Sequence, residues 1–126
     1  MTDLGDKQRE FPLMLAALIT WAYEHQGYEL TLGEAYRTPE QAALNARSGK
    51  GISNSLHTRR LAIDLNLFIG GVYQTDSEAY RPLGDKWKTL HKLARWGGDF
   101  TKTLPGQGTV SAPDGNHFSI EHENVK

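Results

Sequence analysis

The stretch RLAIDLNLF, residues 60–68, alternates between apolar and other residues with the period of a β-strand. The face predicted to be buried carries Leu61, Ile63, Leu65 and Leu67. Asp64 falls on the opposite face, together with Ala62, Asn66 and Phe68. A carboxylate inside an apolar strand costs free energy unless another group binds it. The stretch therefore predicts a strand, and it also predicts a partner for Asp64.

A helix and a strand are predicted near the N-terminus. Residues 7–25 space their apolar side chains by three and four positions, which is typical of an amphipathic helix. Because proline is tolerated in the first turn of a helix, the helix is predicted to begin near Pro12 and to stop by Gly27. Residues 28–37 alternate well enough for a strand.

A second helix is predicted from its capping residues. Thr38 is a favourable N-cap, Pro39 then takes the first helical position, and Gln41 at the third position completes a capping box. The helix is expected to run to about Arg47. Residues 48–55 are small and polar, which indicates a loop.

The second half of the chain is also predicted to mix strands and helix. Gly70–Gly71 is typical of a hairpin turn, and residues 77–96 are predicted to be helical. Residues 101–115 look loop-rich, and residues 116–122 alternate as a final strand. The mixed order predicts an α+β fold, with a small antiparallel sheet flanked by helices in a single domain over residues 1–126.

Composition narrows the class of function. The chain has 126 residues, a formal net charge of -1 and no cysteine, so neither a bulk attraction to nucleic acid nor a thiolate metal site is expected. No apolar run approaches the ~20 residues that span a bilayer, so no membrane insertion is expected. The N-terminal sequence MTDLGDKQREF is polar and mixed in charge, unlike a signal peptide. We therefore expect synthesis in the cytoplasm.

Two histidines and two carboxylates are the candidate reactive groups. His57 precedes the strand that carries Asp64, and an odd offset of seven would place them on opposite faces unless the chain bends between them. His117 lies on the predicted last strand. Two histidines and one carboxylate, with a fourth position left open, are the ligands of a catalytic zinc site. Asp114, three residues before His117, is placed to act as a general base there.

Simpler interpretations of these residues stay open at this point. Asp64 can pair with Arg59 or Arg60, and Asp114 in APDG is an ordinary turn residue. A single histidine is more often a surface or core residue than a ligand. The helical HExxH motif is absent from the sequence. The remaining histidines are weaker candidates: His25 and His91 are predicted on helix surfaces, and His122 is predicted on the face of the last strand opposite to His117.

Two short motifs occur together in this chain. Ser55–Asp64 fits the pattern SxHxxxxAxD, and Asp114–Phe118 fits a closing [DE]xxH segment. Together they resemble the zinc peptidases of peptidoglycan, which include D-alanyl-D-alanine carboxypeptidases and dipeptidases and the phage L-alanyl-D-glutamate endopeptidases. Trp96–Phe100, which reads WGGDF, and the short closing segment are most similar to the phage endolysin branch. The likeness covers about residues 35–118.

The resemblance implies a role for each matching residue. It implies a Zn²⁺ ion held in a central cleft by His57, Asp64 and His117. It implies Asp114 as the catalytic base, where the carboxypeptidase branch usually has glutamate. Arg37 matches an arginine that faces the substrate, and Ser55 matches a serine near the substrate. The alternatives are a salt bridge from Arg37 to Glu34 or Glu40 and a turn-stabilising hydroxyl for Ser55. Arg60 departs from the family pattern, which often has glycine there.

The expected function is therefore zinc-dependent hydrolysis of the peptide stem of peptidoglycan, most specifically between L-alanine and D-glutamate. The setting would be a monomeric phage endolysin, which reaches the cell wall after another protein permeabilises the membrane. The nearest alternative is a D,D- or L,D-carboxypeptidase that releases a terminal D-alanine. Alternatives from other classes are a non-catalytic wall-binding module on the same fold and a phage structural protein.

Overall fold

The computed structural model describes residues 3–49 and 54–126. Its helices are α1 Leu4–Tyr23, α2 Pro39–Arg47 and α3 Arg81–Thr89. Its strands are β1 Tyr28–Leu32, β2 Ala62–Ile69, β3 Val72–Tyr73, β4 Ala94–Trp96, β5 Thr101–Leu104, β6 Gly108–Ser111 and β7 His117–Ile120. Short 3₁₀ segments occupy Leu56–Arg59, Ser77–Tyr80 and Gly97–Asp99. The predicted loop at residues 48–55 lies partly outside the described residues.

The sheet is antiparallel throughout and has the order β1-β2-β7-β4, with β3 paired to β2. Strand β2, which covers most of the strand predicted at residues 60–68, lies between β1 and β7. The prediction of an α+β fold with a small antiparallel sheet flanked by helices is confirmed. The pairing of β2 with β7 sets Asp64 directly opposite His117. The sheet register therefore brings together two residues that are far apart in sequence.

The core lies between the inner face of β2 and helices α1 and α3. All four predicted inward leucine and isoleucine side chains of residues 61–67 are buried. Trp87 of α3 packs edge-on against Phe11 of α1 and Phe118 of β7, with ring centroids 5.5 and 6.0 Å apart. The indole nitrogen of Trp87 also donates to the main-chain oxygen of Ser119 at 3.0 Å. Helix α3 is thereby fixed to the strand that carries His117. None of the helices in the described parts of the chain is both long and apolar enough to cross a membrane.

Helix α1 begins earlier than predicted. The Asp3 side chain accepts a hydrogen bond from the Asp6 amide at 2.7 Å and caps the helix, which leaves Pro12 in its interior. The prediction that the helix begins near Pro12 is wrong. Pro12 is exposed, and the buried face of the helix on either side of it outweighs the one hydrogen bond that the proline removes.

Helix α2 has the predicted bounds. The Thr38 side chain accepts from the Gln41 amide at 3.1 Å, with Pro39 as the first helical residue. Only half of the predicted capping box forms, since the Gln41 side chain donates to Asn45 at 2.7 Å instead of turning back to the cap.

The predicted helix at residues 77–96 is wrong in its second half. Helix α3 ends at Thr89, and β4 follows as a strand paired to β7, with Trp96 opposite Phe118. The apolar residues of this stretch fit a strand as well as a helix. The main-chain groups along the edge of β7 need hydrogen-bond partners, and only a neighbouring strand can supply them. Residues 94–96 therefore form a strand and not the end of a helix.

The loop-rich stretch at residues 101–115 contains a hairpin. Strands β5 and β6 form a separate two-stranded sheet, joined through an exposed turn at residues 105–107. At its base the Ala112 amide donates to the Phe100 main-chain oxygen at 2.9 Å. The prediction of irregular structure is therefore wrong for residues 101–104 and 108–111.

Candidate metal centre

The structure brings His57, Asp64 and His117 together as a group whose candidate ligand atoms all lie within 4.8 Å of one another. The Oδ1 atom of Asp64 is 3.4 Å from Nε2 of His57 and 3.7 Å from Nδ1 of His117. Both imidazoles are buried, and the carboxylate is partly buried. Among the described residues, the Asp64 carboxylate therefore has these two histidines as its side-chain partners. The alternative of a salt bridge to Arg59 or Arg60 is absent from this part of the chain.

A sharp bend before β2 lets His57 and Asp64 converge. His57 lies in the 3₁₀ segment Leu56–Arg59, which Ser55 caps by accepting from the His57 amide at 3.2 Å. Arg60 then adopts a left-handed conformation, with φ 57° and ψ 34°. The alternation of β2 therefore starts only after the bend, and the odd offset between the two residues does not place them on opposite faces.

In each histidine, the ring nitrogen that points away from Asp64 forms a hydrogen bond to a main-chain oxygen. Nδ1 of His57 lies 2.8 Å from the Ala35 oxygen, and Nε2 of His117 lies 3.1 Å from the Lys126 oxygen. A main-chain oxygen only accepts, so each of these nitrogens carries the proton. In the neutral imidazoles, the nitrogens that face Asp64 are then the ones with free lone pairs. This is the arrangement that orients histidine for metal binding.

Contact between Asp64 and the two histidines shifts the pKa values of Asp64 and His57. Burial acts to raise the pKa of Asp64, but in their protonated form the imidazoles of His117 and His57 donate hydrogen bonds to the carboxylate and carry positive charge, and this lowers its pKa to about 2. Burial acts to lower the pKa of His57, and the hydrogen bonds to Asp64 and Ala35 raise it overall. An ionised carboxylate between two imidazoles is a strong ligand set for a divalent cation, because two nitrogens and one charged oxygen already point at a common space.

Asp114 borders the same cleft from the loop before β7. The main-chain amide of Asp114 donates to the Gly97 oxygen at 2.8 Å, and its own oxygen accepts from the His117 amide at 3.0 Å. Partial loss of water around the carboxylate raises the pKa of Asp114, and the charge of Asp64 adds to this while the histidines oppose it. A carboxyl group with a raised pKa is the better proton acceptor and donor near neutral pH.

Arg37 and Ser55 also line this cleft, which has a volume of about 230 Å³. Arg37 binds Glu34 through its Nε and Nη2 atoms, so the alternative interpretation of an ion pair is present in the structure. That ion pair and the negative charge of Asp64 raise the pKa of Arg37. Ser55 caps its 3₁₀ segment, as its alternative interpretation states. Substrate roles for Arg37 and Ser55 stay predictions.

The weaker candidates lie elsewhere. His91 follows helix α3 instead of lying on its surface, and its Nε2 atom is 2.8 Å from Glu10. His122 lies 3.1 Å from the Lys7 ammonium group, and Nδ1 of His25 lies 2.8 Å from the main-chain oxygen of Trp21. The structure thus gives these three side chains other partners.

Sequence reasoning missed two neighbours of the cleft. Phe100 packs against the ring of His117, with centroids 5.2 Å apart. The chain at Val125–Lys126 lines the same cleft and also an adjoining, more open one of about 530 Å³. Phe100 stands in the WGGDF stretch and had a signal there, but a main-chain oxygen such as that of Lys126 leaves no mark in a sequence.

Comparison with known proteins supports the fold. No family model matches the chain, and no curated protein matches it. A solved structure does: the L-Ala D-Glu endopeptidase ChiX of Serratia marcescens superposes with a TM-score of 0.64. The two are 20% identical in sequence, and the match covers 93% of this chain and 85% of that one. At this identity the likeness shows a shared fold.

Proposed function

We propose that this chain is a zinc peptidase that hydrolyses the stem peptide of bacterial peptidoglycan, between L-alanine and D-glutamate. The observation that carries the proposal is the convergence of His57, Asp64 and His117 in one cleft with Asp114. The same fold in an L-Ala D-Glu endopeptidase supports the choice of substrate. In this proposal, residues 1–126 form one catalytic domain that acts as a monomer.

His57, Asp64 and His117 would hold the ion and leave a position open toward the cleft. Zinc bound there supplies Lewis acidity toward a water molecule and a peptide carbonyl. Asp114 accepts the proton of the attacking water and passes it to the leaving amine, for which its raised pKa is suited. Arg37 exchanges part of its contact with Glu34 for a substrate carboxylate or the developing oxyanion. Ser55 keeps the turn that orients His57.

The setting we propose is phage lysis. The short closing segment Asp114–Phe118 and the stretch Trp96–Phe100 support the endolysin branch over the carboxypeptidases. Trp96 and the glycines after it have a structural part in the site, since the Trp96 indole donates to the Gly115 oxygen at 2.7 Å beside Asp114.

The test is mass spectrometry of Gram-negative peptidoglycan incubated with the protein, with chelator and then with added zinc. We expect fragments with a new N-terminal D-glutamate, lost with chelator and restored by zinc. Release of free D-alanine would instead assign the carboxypeptidase reaction. Absence of cleavage by the zinc-loaded protein would contradict the proposal and favour a binding module.

Asp114→Asn should lower the rate by about 10²–10⁴-fold, because the general base is lost, while zinc binding and folding persist. Asp85→Asn is the matched control, since Asp85 is an exposed aspartate of α3 outside the cleft. Equal activity of Asp114→Asn and the parent would show that the base is another group.

A further inference from the structure

The last described residues fold back onto the candidate metal centre. His122 and Val125 exchange two main-chain hydrogen bonds of 3.0 and 2.9 Å. Glu123 and Asn124 between them have φ values of 49° and 64°, so the chain reverses in a tight turn with both central residues at positive φ. We name residues 122–126 the strap. Its reversal directs the Lys126 main-chain oxygen toward the ring of His117.

Three contacts hold the strap in place. The Lys7 ammonium group, on the buried side of α1, lies 3.1 Å from both the Glu121 oxygen and Nδ1 of His122. Val125 packs on a small apolar cluster formed by Leu56, Leu61 and Ala62. At the far end, the hydroxyl of Ser119 donates to the Lys126 oxygen at 2.5 Å.

Ser119 is the informative residue of this set. It is fully buried in β7, and a buried hydroxyl costs free energy unless it is hydrogen-bonded. The one partner recorded for its hydroxyl among the described residues is the Lys126 oxygen. That same oxygen accepts from Nε2 of His117. The hydroxyl and the imidazole thus meet at one acceptor, which fixes the position of that acceptor against β7.

We propose that the strap is a positioning device for His117: Ser119 fixes the Lys126 main-chain oxygen, which keeps the proton on Nε2 of His117 and its Nδ1 lone pair directed at the ion. The inference rests on the proposed metal site. It assigns Ser119 as a positioning residue, because Ser119 acts through Lys126 and does not reach the ion. The Ala35 oxygen has the corresponding part for His57.

The test uses Ser119→Ala in the full chain. The change removes one hydroxyl from a buried position without adding bulk, so the fold is expected to persist. Competition with a chelator of known affinity should give a zinc Kd about tenfold weaker than in the parent. Ser111→Ala in β6 is the matched control, an exposed serine away from the strap, and should bind zinc as the parent does.

A second readout needs no metal. Long-range ¹H–¹⁵N spectra of the metal-free protein at about pH 8, above the ordinary pKa of histidine, report which ring nitrogen carries the proton. His117 should be protonated at Nε2 in the parent and in Ser111→Ala, and should become a mixture of the two tautomers in Ser119→Ala. The His57 tautomer should stay unchanged in all three proteins.

Turn variants test the strap from its other end. Asn124→Val should weaken zinc binding because a β-branched residue is strained at positive φ, whereas Asn124→Gly should bind at least as tightly as the parent. Unchanged zinc affinity and an unchanged His117 tautomer in Ser119→Ala would overturn the inference. So would a lower melting temperature of Ser119→Ala without either change. A parent that binds no zinc would instead refute the proposed function, and the tautomer measurement would still test the strap.

Discussion

At the scale of single residues, Arg60 stands where the peptidoglycan peptidases that the sequence resembles often have glycine. It occupies a left-handed conformation, which glycine adopts without strain and other residues adopt at a cost. Its guanidinium lies over the ring of Tyr36, 4.2 Å from the centroid. The cation–π contact offsets part of the backbone strain.

Replacing Arg60 separates these two contributions. Arg60→Ala loses the contact but keeps the strain, so its free energy of unfolding should fall by about 0.5–1 kcal/mol. Arg60→Gly loses the contact and also the strain, so its free energy of unfolding should exceed that of Arg60→Ala by about 1 kcal/mol. Urea denaturation of the parent and both variants measures the difference. If Arg60→Ala proves as stable as Arg60→Gly, the left-handed conformation carries no strain here.

The candidate ligands were predictable at this scale because chemistry restricts them to few residue types. A charged Asp64 within an apolar strand, and His57 and His117 in short motifs, all leave a signal in the sequence. The oxygens of Ala35 and Lys126 leave none, because every residue has a main-chain oxygen and only the fold selects which one is used. The sequence also does not distinguish Glu34 from Glu40 as the partner of Arg37, and in the structure the partner is Glu34.

At the scale of elements, the 3₁₀ segment Gly97–Asp99 is built around the loop that carries Asp114. A Cβ atom on Gly97 would lie 2.8 Å from Cβ of His117 and 2.9 Å from the carbonyl carbon of Asp114, and it would collide with the Asp114 oxygen. Glycine is therefore required at residue 97 for close packing between two backbone segments, whatever its backbone angles.

Gly97→Ala should lower the free energy of unfolding by about 1–3 kcal/mol, because neither backbone segment can move freely, and it should also lower activity by displacing Asp114. Gly5→Ala in α1 is a contrasting control. Its Cβ would lie 3.2 Å from the flexible end of Arg9 and 3.6 Å from Oδ1 of Asp3, which is an ordinary contact distance, and alanine favours the helix by about 0.5–1 kcal/mol. Urea denaturation should move the two variants in opposite directions; a shift in the same direction would remove the special role of Gly97.

The elements predicted best from the sequence are those with a local signal. Helix α2 has its caps in its own sequence, and β2 has an uninterrupted alternation. The sequence predicts helix where strand β4 lies, because what makes this segment a strand is its pairing with β7, more than twenty residues further along the chain. The start of α1 is predicted too late for a similar reason. The burial of the helix against the core outweighs the preference of Pro12 for the first turn of a helix.

At the scale of the whole molecule, the candidate ligands come from three separate segments. His57 follows α2, Asp64 is in the central strand, and His117 is in the last strand of the sheet. An ion held by all three binds the folded chain and not the unfolded one. Metal binding is therefore linked to the folding equilibrium of the entire chain.

Zinc at about 100 times its Kd should add about 2.7 kcal/mol to the free energy of unfolding. For a chain of this size, the melting temperature should rise by roughly 10 °C relative to the chelator-treated protein. Differential scanning calorimetry with and without chelator measures the shift. His57→Ala should abolish most of it, and a shift that persists in that variant would locate the stabilising ion elsewhere.

The β5–β6 hairpin has a practical consequence for protein engineering. Its turn at residues 105–107 is exposed and belongs to a sheet of its own, whereas its base at Phe100 packs on His117. Exposed loop tips of this kind accept foreign insertions. A peptide with affinity for a chosen bacterial surface, grafted after Gly106, would be displayed at the tip of the hairpin without interrupting the central sheet. If the proposed function holds, the hairpin is thus an attachment point for directing the peptidase to chosen bacteria.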